Sequence, residues 1–412
     1  MPQLSNEITA QIVDFLSDDI PSLKNCSLAG PCFSYPARKH LFSRFHIHIR
    51  NCMRFLQFLD SNPSIGIHFR ELRITASNPM EQEETWVDKY LPLLAPNLPN
   101  ITFLELKGKV RYKAAPFRGF QSVKRLTIIR TEINDMNDFC AFYGMFPLLE
   151  VAFFHDIFVY RICTDEVTIT AYNPPRALKW TQFNSCRLDP GHYVDWTLKT
   201  DMYHHMERIG VCPLQHVGMP PIGRLVSATG PALKHFKLAL VGMMTQRGFV
   251  GTYRCSRSLH HSYNLTSLPE AVRDHFRLDK NPNLQTIEFG SPAQYADLYG
   301  SDDVRSSWFP AMLSTVASTV VEKVVFNLWG GKEGFQGVAM LGDLERIHEK
   351  HWSNIADILS GAPFIGLKEV IFHVSGVHDN ATQMIDVLKV KFRRFDEMGI
   401  LIFDDKEDED CH

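Results

Sequence analysis

One short apolar pattern recurs along this chain: three apolar residues spaced as Leu-x-x-Leu-x-Leu, with polar residues in the gaps. The clearest copies centre on Leu104 (with Ile101 and Leu106), Leu126 (Val123, Ile128), Phe236 (Leu233, Leu238), Ile287 (Leu284, Phe289), Val324 (Val321, Phe326) and Val370 (Leu367, Phe372). Weaker copies centre on Leu72, Ala152, Thr181 and Val217, and many copies follow Pro or Asn. With 45% hydrophobic residues the bare triplet arises often by chance, so its weight comes from the gaps. Lys-Arg, Lys-His, Gln-Thr, Glu-Lys and Lys-Glu pairs separate the first two apolar positions, and alternation follows, which describes a strand with one buried face and a polar start. Helix-like stretches at 134–143, 193–209, 269–276, 310–318, 344–359 and 382–395 lie between the strands. Strand alternating with helix gives an α/β class.

Successive centres from Leu104 to Leu126, Ala152 and Thr181 are 22, 26 and 29 residues apart, and later steps lengthen to as many as 51. Over residues 65–403 the chain loosely resembles the leucine-rich repeats, although the usual Asn or Cys after the strand is mostly missing. The resemblance implies an irregular solenoid, with parallel strands lining a concave surface and helices on the convex side. The alternation then exposes Glu105, Thr127, Phe153, Gln182, Lys237, Glu288 and His373 on the concave side, a mixed set suited to a protein partner; a slip of one residue would exchange them with the core. A doubly wound dinucleotide-binding sheet is the alternative, and it would need a Gly-rich turn after a strand, which is missing. Residues 241–280 interrupt the repeat. Their Arg247, Arg254 and Arg257, interleaved with Phe249, Tyr253 and Tyr263, form either a target-gripping loop or a solvated connection.

Residues 4–45 follow another pattern. Ile8, Ile12 and Phe15, with Leu16 beside them, share one helix face behind an N-cap at Ser5 or Asn6. Asp18-Asp19 ends that helix, Pro21 opens a second with Leu23, Cys26 and Leu28 on its apolar side, Gly30-Pro31 stops it, and Pro36 opens a third. So few residues with so much apolar face make a poor independent domain, and the surplus face is expected to meet a partner.

In order and spacing, Leu4, Glu7-Ile8, Ile12, Phe15-Leu16-x-Asp18-Asp19, Pro21-Ser22-Leu23, Cys26-Ser27-Leu28 and Ala37-Arg38-Lys39-His40-Leu41-Phe42 resemble an F-box of the type frequent in fungal chains. Ser5 stands where that family usually has proline, and Ala29 to Phe33 replaces its Val-Cys-Arg-x-Trp. The resemblance implies a non-catalytic substrate receptor of a Skp/cullin/F-box ubiquitin ligase. The Skp adaptor, and through it the cullin, would be held by Leu4, Ile8, Ile12, Leu16, Leu23, Leu28 and Phe33, and an unknown target by the repeat region. The alternative is a ligase-independent binding scaffold whose N-terminal helices only cap the solenoid. The expected organisation is a helical module at 1–45, the repeat region at 46–403 and an acidic tail at 404–412.

A formal charge of −3 gives no general attraction to nucleic acid or anionic membrane. The start of the chain lacks a charged-then-apolar leader, and the nine cysteines are odd in number without a C-x-x-C pair, which fits reduced thiols in cytoplasm or nucleus. No cofactor or metal is expected. The pairs His46 and His48, His204-His205 and His260-His261 lack further ligands at metal spacing, Gly330-Gly331-Lys332 lacks the Ser or Thr of a phosphate loop, and no G-x-S-x-G elbow occurs. The six tryptophans are dispersed, as packing residues are.

Overall fold

The computed structural model describes residues 5–76, 84–108, 113–161, 173–186, 190–241, 268–290, 308–327, 349–374 and 381–404. They fall into two compact units, Met1–Leu178 and Lys179–His412.

The first unit begins with α1 (Asn6–Asp14), α2 (Ile20–Ala29) and α3 (Pro31–Leu41). The Ser5 hydroxyl caps α1 by accepting from the Ile8 N–H, and the Asp19 carboxylate caps α2 by accepting from the Ser22 N–H and hydroxyl. The third helix is opened by Pro31, not Pro36. Pro36 lies inside α3, whereas Pro31 occupies the first turn, where a missing N–H costs nothing. The module's core is Val13, Leu23 and Ala37, with Leu16, Cys26, Phe33 and Leu41 packed against it. Asp14 and His40 join α1 to α3 at 2.6 Å.

The strands of this unit are β1 (Arg44–Ile47), β2 (Glu71–Thr75), β3 (Phe103–Lys107), β4 (Arg125–Ile129), β5 (Glu132–Asp135), β6 (Val151–His155) and β7 (Phe158–Arg161). β1, β2, β3, β4 and β6 lie side by side, all parallel, and β5 pairs with β7. The second unit carries β8 (Trp180–Asn184), β9 (Arg208–Gln215), β10 (His235–Val241), β11 (Thr286–Phe289), β12 (Lys323–Asn327), β13 (Glu369–His373) and β14 (Leu401–Asp404), again all parallel. In each unit the strands stand in chain order without a reversal, which excludes the doubly wound alternative. Each unit is a leucine-rich-repeat-like array.

The register aligns the triplet centres. Phe45, Leu72, Leu104, Leu126 and Ala152 are partners in the first unit; Thr181, Ile209, Phe236, Ile287, Val324, Val370 and Leu401 are partners in the second. The weak copy expected at Val217 is therefore corrected to Met206-x-x-Ile209-x-Val211, all buried, while Val217 is exposed in a short turn. The expected helix at 193–209 is shorter, Pro190–Lys199, and leaves room for β9. One extra residue enters β9 between Val211 and Leu214, a bulge that contains Pro213, which has no N–H to give a ladder.

Along β1, β2, β3, β4 and β6, and along β8 to β13, each strand is fixed to the next at its start by one carbonyl that accepts two consecutive N–H groups. Ser43 O takes Arg70 and Glu71, Arg70 O takes Thr102 and Phe103, Thr102 O takes Lys124 and Arg125, and Lys124 O takes Glu150 and Val151, at 2.8–3.0 Å. In the second unit Lys179, Glu207, Lys234, Gln285 and Glu322 do the same for β9 to β13, at 2.8–3.1 Å. Asn281, fully buried just before the triplet at Leu284, donates to Val226 O and Gly230 O and so ties off the helix Met219–Thr229.

The triplet faces are covered by aromatic side chains from the helices. Phe139 and Tyr143 pack on Phe154, Tyr193 on Phe183, Phe276 on Phe236, Trp308 and Phe309 on Phe289, and Trp352 and Phe392 on Phe372. Trp86, Trp196, Trp308 and Trp352 are buried, as packing residues should be, and Trp329 lies outside the described residues. Through β11 to β14, Phe289, Phe326, Phe372 and Phe403 stack in register with ring centroids 5.1, 5.0 and 5.7 Å apart. Phe326 also meets Phe309 and Trp352, so Phe326→Ala should lower stability by about 3–5 kcal/mol in urea denaturation, whereas Leu148→Ala on the surface should change it by less than about 0.5 kcal/mol.

Candidate docking surfaces

In α1 two apolar stripes run side by side. Thr9, Val13 and Leu16 face the module's core, while Ile8, Ile12 and Phe15, each one residue earlier, lie about 100° round the helix and point outward. Ile8 is 47%, Ile12 40% and Phe15 91% exposed. Leu28 is 85% exposed at the end of α2, and Ile20 and Tyr35 are exposed as well. Single exposed apolar residues are ordinary; six on three short helices are a concentration.

Of the seven expected adaptor contacts, Ile8, Ile12 and Leu28 are presented to solvent. Leu23 is corrected: it is completely buried in the module's core, and so has no area left to give a partner. Leu16 and Phe33 pack against that same core and are only partly accessible, and Leu4 lies outside the described residues. Phe15, Ile20 and Tyr35 are exposed but are not among the seven. The i, i+4, i+7 spacing of Ile8, Ile12 and Phe15 is readable in sequence, but which of two adjacent stripes turns inward is decided by the packing of α3. The module also rests on the first repeat: Tyr35 meets His68 edge-on at 5.2 Å, and Phe42 meets Phe58 and Phe69 at 6.3 and 6.1 Å.

The sheet face opposite the triplets differs between the units. In the first, Glu105 and Thr127 remain partly accessible as expected, whereas Phe153 is buried. In the second, Gln182 and Lys237 are buried, contrary to the expected exposure, and Glu288 and His373 are only partly accessible. For Lys237 and Glu288 the reason is local pairing. Glu288 sits one strand from Lys237 in the same row, 2.6 Å from its ammonium, takes a 2.8 Å hydrogen bond from Asn327, and lies 3.3 Å from His235. Burial by itself raises the Glu288 pKa, but the His235 contact and the Lys237 charge outweigh it and hold the carboxyl well below the usual carboxylate range. His373 lies 3.8 Å from Asp404. Arg247, Arg254 and Arg257 lie outside the described residues.

Among the described residues no three His, Cys, Asp or Glu side chains come together as metal ligands; His46 instead bonds Thr75 at 2.7 Å. Burial pushes the Cys52 thiol up to about 11, and burial with the Asp135 charge pushes Cys140 up to about 12, so neither is a ready thiolate nucleophile. No described helix is long and apolar enough to cross a membrane.

No family model matches the sequence, and no curated protein matches it. Solved structures give distant likenesses. A Bacteroides fragilis protein is 8% identical over 88% of this chain and 73% of its own, with a TM-score of 0.33. An internalin (InlF) of Listeria monocytogenes is 9% identical over 84% and 82%, at 0.29, and TLR13 in its complex with ssRNA13 is 12% identical over 75% and 43%, at 0.29. The repeat assignment rests on the register and spacing described above.

The Glu288 cluster gives a signed pH dependence. A carboxyl whose folded pKa is depressed contributes stability that is complete above its unfolded pKa of about 4.3 and is lost as pH falls toward the folded value. Thermal melts should therefore show the wild type losing stability below about pH 4, and Glu288→Gln should cost about 3 kcal/mol at neutral pH by leaving Lys237 buried beside a neutral amide. The Lys237→Met/Glu288→Leu double variant should recover most of that loss.

Proposed function

We propose that this chain is a non-catalytic substrate receptor of a Skp/cullin/F-box ubiquitin ligase, docking on the Skp adaptor through the outward stripe of its N-terminal helices and on a target protein through its repeat region. The observation that carries this reading is the surplus apolar face. The module completes its own core with Val13, Leu23 and Ala37 and still turns Ile8, Ile12, Phe15 and Leu28 to solvent. A cap alone needs only the side that rests on the first repeat. Revised by the burial, the proposed adaptor contacts are Ile8, Ile12, Phe15, Ile20 and Leu28, with Leu23 acting from within as the residue that sets the helices' spacing. Such a receptor works by proximity, raising the local concentration of target lysines near a conjugating enzyme without supplying an acid, base or nucleophile.

The second reading, a ligase-independent scaffold with a helical cap, is favoured by the Tyr35–His68 and Phe42–Phe69 contacts. Both readings keep the repeat region as a protein-binding array. Co-expression with the Skp adaptor of the source organism should yield a one-to-one complex on size exclusion. Ile12→Asp or Phe15→Asp should abolish it, because an unpaired charge in an apolar contact costs several kcal/mol, roughly, while the exposed position leaves the chain's melting temperature unchanged. A soluble, folded chain indifferent to the adaptor would make the helices a cap.

A further inference from the structure

Four strands of the first unit carry an alternating row of cations and rings. The Arg73 guanidinium lies 5.9 Å from the centre of the Phe103 ring, Arg125 lies 5.4 Å from the same ring, and Arg125 lies 5.2 Å from the ring of Phe153. Since β2 and β4 flank β3, the two arginines reach Phe103 from its two sides. The neighbouring arginines of this face already have carboxylates: Arg44 pairs with Glu71 at 3.1 Å and Arg73 with Glu105 at 3.8 Å. Arg125 does not; among the described residues its guanidinium meets only the two rings, and it is exposed. Stacking on rings uses the guanidinium's faces and leaves its N–H edge open, already held in orientation.

We infer that Arg125, clamped between Phe103 and Phe153, is the reading head of a site for an acidic segment of a partner protein, taking one of its carboxylates through the free N–H edge. Charge on the two rows supports a monoanion. Arg44, Arg73 and Arg125 face Glu71 and Glu105, one positive charge in excess, while burial and the His48 charge lower the pKa of His46 and keep it from adding another. Single-stranded nucleic acid is disfavoured, because Phe103 already carries two arginines and Phe153 is buried, so neither ring is an open platform for a base. The inference deepens the reading of the repeat region as a protein-binding array and is independent of the adaptor.

The test uses the full chain and a fluorescein-labelled peptide of alternating Glu and Ser, with its Gln/Ser counterpart and an oligo-dT strand as comparisons, read by fluorescence anisotropy. The Glu peptide should bind, more weakly as salt rises, and the Gln peptide should not. Arg125→Gln should weaken the Glu peptide about tenfold, and Arg125→Lys should restore only part, since lysine keeps the charge without the two-pronged donor edge. No binding of the Glu peptide, equal binding of the Gln peptide, an unchanged affinity in Arg125→Gln, or preference for oligo-dT would each overturn the inference. Adaptor capture by the same preparations separates the two questions: a chain that binds the adaptor but no acidic peptide fails only here.

Discussion

The register of the described arrays depends on the shared carbonyl at the start of β2, β3, β4, β6 and β9 to β13. A parallel pair cannot be joined by a tight turn, so its register must be set by something other than loop geometry. Here one carbonyl uses both lone pairs to hold two successive N–H groups of the next strand, from Ser43 through Lys124 in the first unit and from Lys179 through Glu322 in the second. A slip of one residue would break both bonds and turn every triplet to the wrong face. Once register is locked, identical side chains fall in line, and the stack of Phe289, Phe326, Phe372 and Phe403 follows without further instruction.

The locked register also lines up the residues between the triplets, and the two units use that alignment differently. In the second, Lys237, Glu288, His235 and Asn327 converge and neutralise one another in a largely buried group, which spends the row on internal structure. In the first, Arg73, Phe103, Arg125 and Phe153 alternate, and among the described residues the exposed Arg125 meets rings and no carboxylate. Two rows with similar residue types thus have different capacities, because pairing depends on which sign stands one strand away.

That distinction explains what could and could not be read from sequence. Nine of the twelve aligned centres are legible as strands because the gap residues are charged and the flanks apolar; Phe45, Leu401 and Ile209 are not, the last because Met206 leads its triplet and Pro213 breaks the alternation. Which face a residue takes follows from period two, and so Glu105, Thr127, Lys237 and Glu288 all lie on the expected side. Whether that side is open does not follow, since burial of Gln182 and Lys237 depends on contacts beyond the strand's own pattern. The N-terminal module shows the same limit at helical scale. Its three helices and the Ser5 and Asp19 caps are local and legible, while the burial of Leu23 and the exposure of Phe15 are set by α3.

The two faces of that module also dissolve the opposition between cap and receptor. Capping needs Tyr35 and Phe42 turned toward His68, Phe58 and Phe69, and they belong to α3 and the residue after it. The outward stripe of Ile8, Ile12 and Phe15 belongs to α1, which meets α3 through Val13 and Ala37 and through the Asp14–His40 contact. A substitution in the stripe therefore removes nothing that holds the module to the first repeat, whereas one at Leu23 or Ala37 loosens both surfaces at once. Loss of a partner in Ile12→Asp with retained folding would be specific to docking in a way that no core variant could be.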